Sequence, residues 1–407
     1  MRALAVGALA GLAVLACACS PIPRPGSWQV LGRIPNFSGV DQVVALSGGD
    51  ALFIGEGPAR PNTLGPPAAA LYQGTTNTWR PIPPPPIPVF GATITALRDG
   101  TVLLAGGSDV ATYLFSPGAN RWIPTGDMVQ ARADDSATLL QDGRVLVVGG
   151  DHDGKALASC EIYDPSSRTW TLVKPLPHTR VYQSAVLMSD GRVMIAGGDL
   201  DAASGSNGGS QPGTSPGTGA YMSDEVYDPR LDSWSELSEP TTLEDPLLLP
   251  LRDGKLLVYG GHFGFQQSNL VYVYDPRSGA WSEKATAMGG GIAIELTDGR
   301  ILFPQSLWTY DPGQDLWMPV TQLPAGTQFA FFPLIKPDGK VLVIANDLSQ
   351  QNEIALVFDP SGFPALPGSS GPLADSRATR LLLIVALALM LLVGARYLIG
   401  LRRPAGG

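Results

Sequence analysis

Gln141-Asp142-Gly143-Arg144-Val145-Leu146-Val147-Val148-Gly149-Gly150 decides how the rest of the chain is read. An Asp-Gly pair between apolar runs predicts a tight hairpin turn, read here as type I′ with both central residues at positive φ. The run Val145 to Val148 after it is apolar at every position instead of alternating, so it predicts a strand buried on both faces. The closing Gly-Gly then ends that strand. The phrase recurs as Arg98-Asp99-Gly100-Thr101-Val102-Leu103-Leu104-Ala105-Gly106-Gly107, as Ser189-Asp190-Gly191 to Gly197-Gly198 and as Arg252-Asp253-Gly254 to Gly260-Gly261. Weaker copies begin at Gly48-Gly49, Asp298-Gly299 and Asp338-Gly339, which makes seven copies about 40 to 63 residues apart. Self-similarity at that period marks a propeller with one small sheet per copy.

A second phrase follows each of several copies. Tyr163-Asp164-Pro165 with Trp170 recurs as Tyr227-Asp228-Pro229 with Trp234, Tyr274-Asp275-Pro276 with Trp281, and Tyr310-Asp311-Pro312 with Trp317. Asp-Pro opens a turn between a third and a fourth strand, because Pro fixes φ and cannot donate to a ladder, and the Trp supplies an apolar plate between sheets. The seventh copy has its third strand at 353–358 and Asp359-Pro360, but no Trp strand behind it. Ser27-Trp28-Gln29-Val30-Leu31 precedes the first copy and is a Trp strand without a sheet. The N-terminal strand is therefore expected to complete the last blade and remove an exposed edge.

With Arg132 and Arg180 before first strands, double Gly ending second strands, and Tyr and Trp at fixed separation, residues 27–362 resemble the Kelch-repeat family. The resemblance implies an all-β, seven-bladed Kelch-type β-propeller, the fold of the galactose oxidase central domain. Ile54-Gly55-Glu56, Phe303-Pro304-Gln305 and Ile344-Ala345-Asn346 depart from the double Gly in blades one, six and seven.

Bulk properties agree with this reading. The chain of 407 residues has 49 Gly and 37 Pro with only 15% charged residues, which suits short strands and tight turns. A net charge of -9 and no basic stripe exclude a nucleic-acid partner. Of the three Cys only Cys160 lies inside the repeat, so disulfides do not hold the fold.

Both ends are apolar. Residues 1–19, with Arg2 and the run Ala3 to Ala16, read as a signal peptide, and Val14-Leu15-Ala16-Cys17 resembles a lipobox, making Cys17 a lipidation candidate. Ala16-Cys17-Ala18 reads equally as an ordinary cleavage site. At the other end residues 363–380 form a Pro/Gly/Ser linker, 381–401 a transmembrane helix candidate and 402–407 a cytoplasmic tail with Arg402 and Arg403. The expected product is exported and anchored in the cell membrane, with the propeller on the extracytoplasmic side.

Four antiparallel strands per blade place all Asp-Gly and Asp-Pro turns on one face and the loops of unequal length on the other. Variable loops on a rigid scaffold are where recognition concentrates. The loop face offers Arg132 and Arg180, which could grip a carboxylate bidentately or pair structurally. Asp134, Tyr182 and Asp245 stand at equivalent connections; Glu295 interrupts the apolar run Ile292 to Leu296, where it could line the channel or be a bonded structural carboxylate. His152 and His262 lie in loops, His152 within Asp151-His152-Asp153-Gly154, which has too few ligands for a calcium site. The segment from Ala202 to Tyr221 is nearly all Gly, Ser, Pro, Thr and Asn and reads as a flexible loop.

These features predict a binding module for a protein or carbohydrate ligand, with no catalytic group, metal or cofactor assigned. The alternative implied by the resemblance is a sugar-active enzyme similar to a sialic acid mutarotase, using Arg132 or Arg180 with Glu295 or Asp245. A galactose-oxidase-like copper centre calls for two His, paired Tyr and a crosslinked Cys, whereas here Cys160 opens a third strand away from any Tyr-His pair.

Overall fold

The computed structural model describes residues 25–58, 65–198, 223–238, 246–260, 262–263, 266–267, 269–284, 286–287, 290–348 and 352–363. They build seven four-stranded antiparallel sheets arranged as the blades of a propeller. Blade 3 is typical: Ser136–Leu139, Val145–Val148, Cys160–Asp164 and Thr169–Val173 pair in that order, inner to outer. Among the described residues helix is limited to one turn, Ser47–Gly49, and no helix is long and apolar enough to cross a membrane. The signal, linker and transmembrane segments read from the sequence lie outside the described residues.

The second strand explains why the blades stay together. Successive side chains of a strand point to opposite faces, and here both faces meet another blade. Leu146 and Val148 pack towards Val193, Ile195 and Tyr227 of blade 4, while Val145 and Val147 pack towards Leu103 and Ala105 of blade 2. One such apolar cluster fills each of the seven seams, so the core is a ring of layers.

Every blade also repeats one aromatic pair between its two outer strands. Tyr163 lies opposite Trp170 with ring centroids 5.1 Å apart, and Tyr72–Trp79, Phe115–Trp122, Tyr227–Trp234, Tyr274–Trp281 and Tyr310–Trp317 match it at 4.7–5.1 Å. Cross-strand aromatic pairs of this kind stabilise beyond the area they bury.

The expected closure is present. Ser27–Arg33 pairs antiparallel with Asn352–Asp359, and Trp28 stands opposite Phe358 at 4.8 Å, the same aromatic pair as in the other blades. Trp28 Nε1 donates to the Thr321 carbonyl at 2.8 Å, tying the closing strand to blade 6.

The Asp-Gly turns differ from the type I′ expectation. Gly100, Gly143, Gly191, Gly254, Gly299 and Gly339 have φ between 80° and 92°, but their preceding Asp residues are not at positive φ. Gly100 N–H bonds the Leu97 carbonyl and Leu97 N–H the Thr101 carbonyl, the pattern of a type I turn followed by a glycine bulge. The reason is the Asp side chain: Asp99 Oδ1 accepts the Thr101 N–H at 2.9 Å, and Asp142, Asp190, Asp253, Asp298 and Asp338 repeat that bond. This local ring serves a right-handed Asp, so only the Gly needs the left-handed region.

The replaced double glycines also have a structural outcome. In blades 1 and 7 the second strand runs on as Ala51–Glu56 and Val341–Asp347, so these two blades extend further on the loop face. In blade 6 it shortens to Ile301–Phe303.

Candidate functional site

Gly149 and Gly150 end the second strand of blade 3 with φ of 62° and 89°. A Cβ on Gly150 would lie 2.5 Å from the Ala133 carbonyl, so only glycine lets the incoming chain approach. That approach carries Arg132 into the blade, where it is fully buried. Its Nη1 donates to the Gly149 and Ser159 carbonyls at 2.7 and 2.9 Å, and its Nη2 meets Glu161 Oε1 at 2.7 Å. Glu161, also sealed, accepts the Val129 and Gln130 N–H groups. Blade 4 repeats the device: buried Arg180 donates to the Gly197 and Ser223 carbonyls and faces Glu225 Oε2 at 3.1 Å. Burial holds the Arg180 pKa below its ordinary value, with Glu225 and Asp224 opposing that shift. Both guanidiniums thus make structural pairs, the second of the two roles open to them, and neither has a face towards solvent. The signal that could have found their partners was the charged residue inside an apolar strand, Glu-Ile-Tyr-Asp-Pro and Glu-Val-Tyr-Asp-Pro.

Around the channel mouth on the loop face, a residue one or two before the inner strand adopts the left-handed region in three successive blades. Gly91, Asp134 and Tyr182 have φ of 68°, 53° and 64°, and a Tyr there is strained. Asp134 N–H donates to the Gly91 carbonyl at 2.8 Å and Tyr182 N–H to the Asp134 carbonyl at 3.3 Å, so the three are strung together around the rim. Side chains stitch the same level. Gln42 donates to the Ala92 carbonyl and accepts Ile94 N–H, Thr93 Oγ1 reaches Asp135 Oδ2, and Gln183 donates to Ser136 Oγ.

Four rim carboxyls stand above their ordinary pKa. Burial is the main cause in each, which lifts Asp41 to about 6 and Asp135 and Glu353 to about 7, and moves Asp134 upward. Each also has a neighbouring carboxylate pushing the same way: Glu56 on Asp41, Asp151 on Asp134, Asp134 on Asp135 and Asp41 on Glu353. The Tyr182 side chain, bonded to Asp134, pulls the other way. Asp41 Oδ2 and Asp135 Oδ1 are shielded from solvent without a hydrogen-bond partner among the described residues. Asp41 and Glu353 were not candidates from the sequence, because blades 1 and 7 lack the double Gly that marks the equivalent position elsewhere.

The remaining candidates scatter. Glu295 belongs to the inner strand Ile294–Glu295 but sits beside the turn at 296–300, on the turn face, where its Oε2 accepts the Arg252 N–H of blade 5 at 2.7 Å. It is the bonded structural carboxylate rather than a channel lining, and it does not converge with Arg132 or Arg180, which lie at the opposite end of their blades. His152 is part of a small hairpin, Asp151–His152 with Lys155–Ala156, and Asp151 Oδ2 closes that turn on Gly154 N–H. His262 opens a similar hairpin, His262–Phe263 with Gln266–Gln267. His178 on the loop face shares Glu225, Nδ1 to Oε1 at 3.2 Å. Asp245, Cys17 and the 202–221 segment lie outside the described residues.

Comparison with known proteins agrees with this architecture. The Kelch motif matches residues 135–177 and 252–288, two stretches of a chain that folds as a seven-bladed β-propeller. No curated protein matches it. Among solved structures it is similar to a fungal alcohol oxidase of the AA5 family in complex with copper, at 19% identity and a TM-score of 0.60, over 83% of this chain and 76% of that one. Such a likeness speaks for the fold. Among the described residues no three His, Cys, Asp or Glu side chains gather into a metal-holding group. Cys160 is sealed in the seam between blades 3 and 4, its thiol donating to the Ala158 carbonyl and its pKa pushed by burial to about 12. The described residues do not fit a copper centre built on a crosslinked Cys.

Proposed function

We propose that this protein is a membrane-anchored, extracytoplasmic binding module that recognises a protein or carbohydrate ligand through the loop face of its propeller. The observation that carries this is the contrast between the two faces. On the turn face the carboxylates are spent on their own turns, and the turns are clasped blade to blade: Gln141 donates to the Ser189 carbonyl and Ser189 to the Gly254 carbonyl. The loop face instead presents carboxyls that crowd one another. Rigid scaffolds that leave unsatisfied polar groups at one mouth suit recognition there. The apolar stretches at 3–16 and 381–395 support export and anchoring.

A glycan array and a pull-down with the full-length protein in detergent test this reading. Binding that is lost in an Asp41→Asn, Asp134→Asn, Glu353→Gln variant supports it. Binding that survives those changes and is lost on altering the turn face, for instance Arg98→Ala, refutes it.

A further inference from the structure

The loop face carries two features whose combination narrows the partner. The first is charge. Carboxylates recur round this face from Asp41 through Asp109, Asp127, Asp134 and Asp151 to Glu353, and Asp153 at the tip of the blade 3 hairpin is 88% exposed. Arg132 and Arg180 are neutralised inside the blades. The Lys and Arg residues left at this end among the described residues are Arg33, Lys155 and Lys284, since the Lys174 backbone is held by Asp232 of the blade 4 outer turn.

The second feature is apolar and independent of the first. Phe90, Val129, Phe329 and Leu348 are 57%, 56%, 56% and 54% exposed, and all lie at loop-face connections or strand ends. The other large exposed hydrophobics, Val30, Leu172 and Leu231, are dispersed over outer strands and the turn face. Phe329 has φ of 48°, held by a bulge in Thr327–Ile335, and Leu348 N–H donates to the Gly326 carbonyl, so a shaped backbone presents both side chains. Exposed apolar groups within a charged rim are the anatomy of a protein interface. Asp41, Asp134, Asp151 and Glu353 form no ion pair among the described residues, and a bound cation would also relieve the repulsion among them, which an anionic or uncharged ligand would leave in place.

We propose that the loop face docks a cationic protein segment, one rich in Lys or Arg that also carries apolar side chains. This rests on the reading that the loop face is the binding face. It commits to a basic polypeptide over a glycan.

The test uses the full-length protein in detergent and a fluorescein-labelled decapeptide alternating Lys and Phe, with its Glu/Phe counterpart as control. The Lys/Phe peptide should bind and weaken steeply with salt. The Glu/Phe peptide should not bind. The Asp41→Asn, Asp134→Asn, Glu353→Gln variant should bind about tenfold more weakly, in keeping with the loss of a few partly buried carboxyls. Phe329→Ser should weaken binding without changing the salt dependence. Should the triple variant fold poorly, hydrogen exchange on the unaltered protein decides, with protection on peptide binding expected at 125–135, 326–331 and 345–348.

Equal binding of the two peptides, or no binding of the Lys/Phe peptide, overturns the proposal. If glycans alone bind and the triple variant loses them, the cationic partner is wrong while the loop-face reading stands. If protection falls on the Asp-Gly turns, both fail.

Discussion

Arg132 Nη2 and Glu161 Oε1 lie 2.7 Å apart with both side chains wholly shielded from solvent. Removing one member strands a buried charge as well as the Gly149 and Ser159 carbonyls that Arg132 satisfies. Arg132→Met is expected to lower stability by about 3–5 kcal/mol in urea unfolding. Arg132→Lys should recover little of this, because an ammonium cannot reproduce the fork that meets two carbonyls and a carboxylate at once. A change under 1 kcal/mol would show that the pair is solvated in solution.

The Glu353 carboxylate accepts Val40 N–H at 2.7 Å across the seam between the last and first blades, and burial lifts its pKa from 4.5 to about 7. Between those values the folded chain holds a proton that the unfolded chain has released, so stability falls as pH rises through that window. Below it, and above it, this group adds no further slope. Asp41 and Asp135 act in the same direction. The protein should therefore melt higher at pH 5.5 than at pH 8, and Glu353→Gln, whose amide oxygen still accepts Val40 N–H, should shrink that difference. An unchanged difference would assign the effect to other groups.

Lys336 is 5% exposed and occupies the position that is Leu46, Leu97, Leu140, Met188, Leu251 and Leu296 in the other blades, each with the same backbone bond to the residue four on. Its partner is Asp338 at 3.4 Å, because Lys340, the basic residue two after the Asp, turns instead to Asp359 at 3.0 Å. Lys336→Met replaces a buried ammonium with the residue type of blade 4 and should raise stability by about 1 kcal/mol or more. Thermal melting reads this directly, and a lower Tm would mean the ammonium does more than its ion pair shows.

Trp28 joins the two ends of the ring through its stack on Phe358 and its bond to the Thr321 carbonyl. Trp28→Ala should cost about 3–5 kcal/mol, and protease sensitivity should rise first at 352–359. Uniform loss of protection along the chain would argue that the ring unzips as one unit.

The propeller was legible because its physics repeats. A strand buried on both faces has to be apolar throughout, the left-handed position of each Asp-Gly turn is taken by Gly, and the Trp without a blade at 28 had to find the blade without a Trp. The turn type was misread because Asp99 and its equivalents tolerate either hand and the sequence does not show where the carboxylate bonds. The rim was partly legible. Asp134 and Tyr182 follow the repeat, whereas Asp41 and Glu353 act on each other across 312 residues of chain, a pairing that the closing strand creates and no local pattern carries. Arg132 was seen as a charge at a strand start, but the buried Glu that neutralises it belongs to a different strand of the blade.

The closing sheet also sets a schedule. Synthesis delivers Ser27–Arg33 more than 300 residues before Asn352–Asp359, so the strand that seals the ring must wait unpaired while the other six blades are made. A chain halted anywhere before residue 352 has nothing for Trp28 to meet and keeps two raw sheet edges. Emergence of Asn352–Asp359 is thereby a condition for closure, and an open edge distinguishes a chain that stops short of this strand from one that contains it.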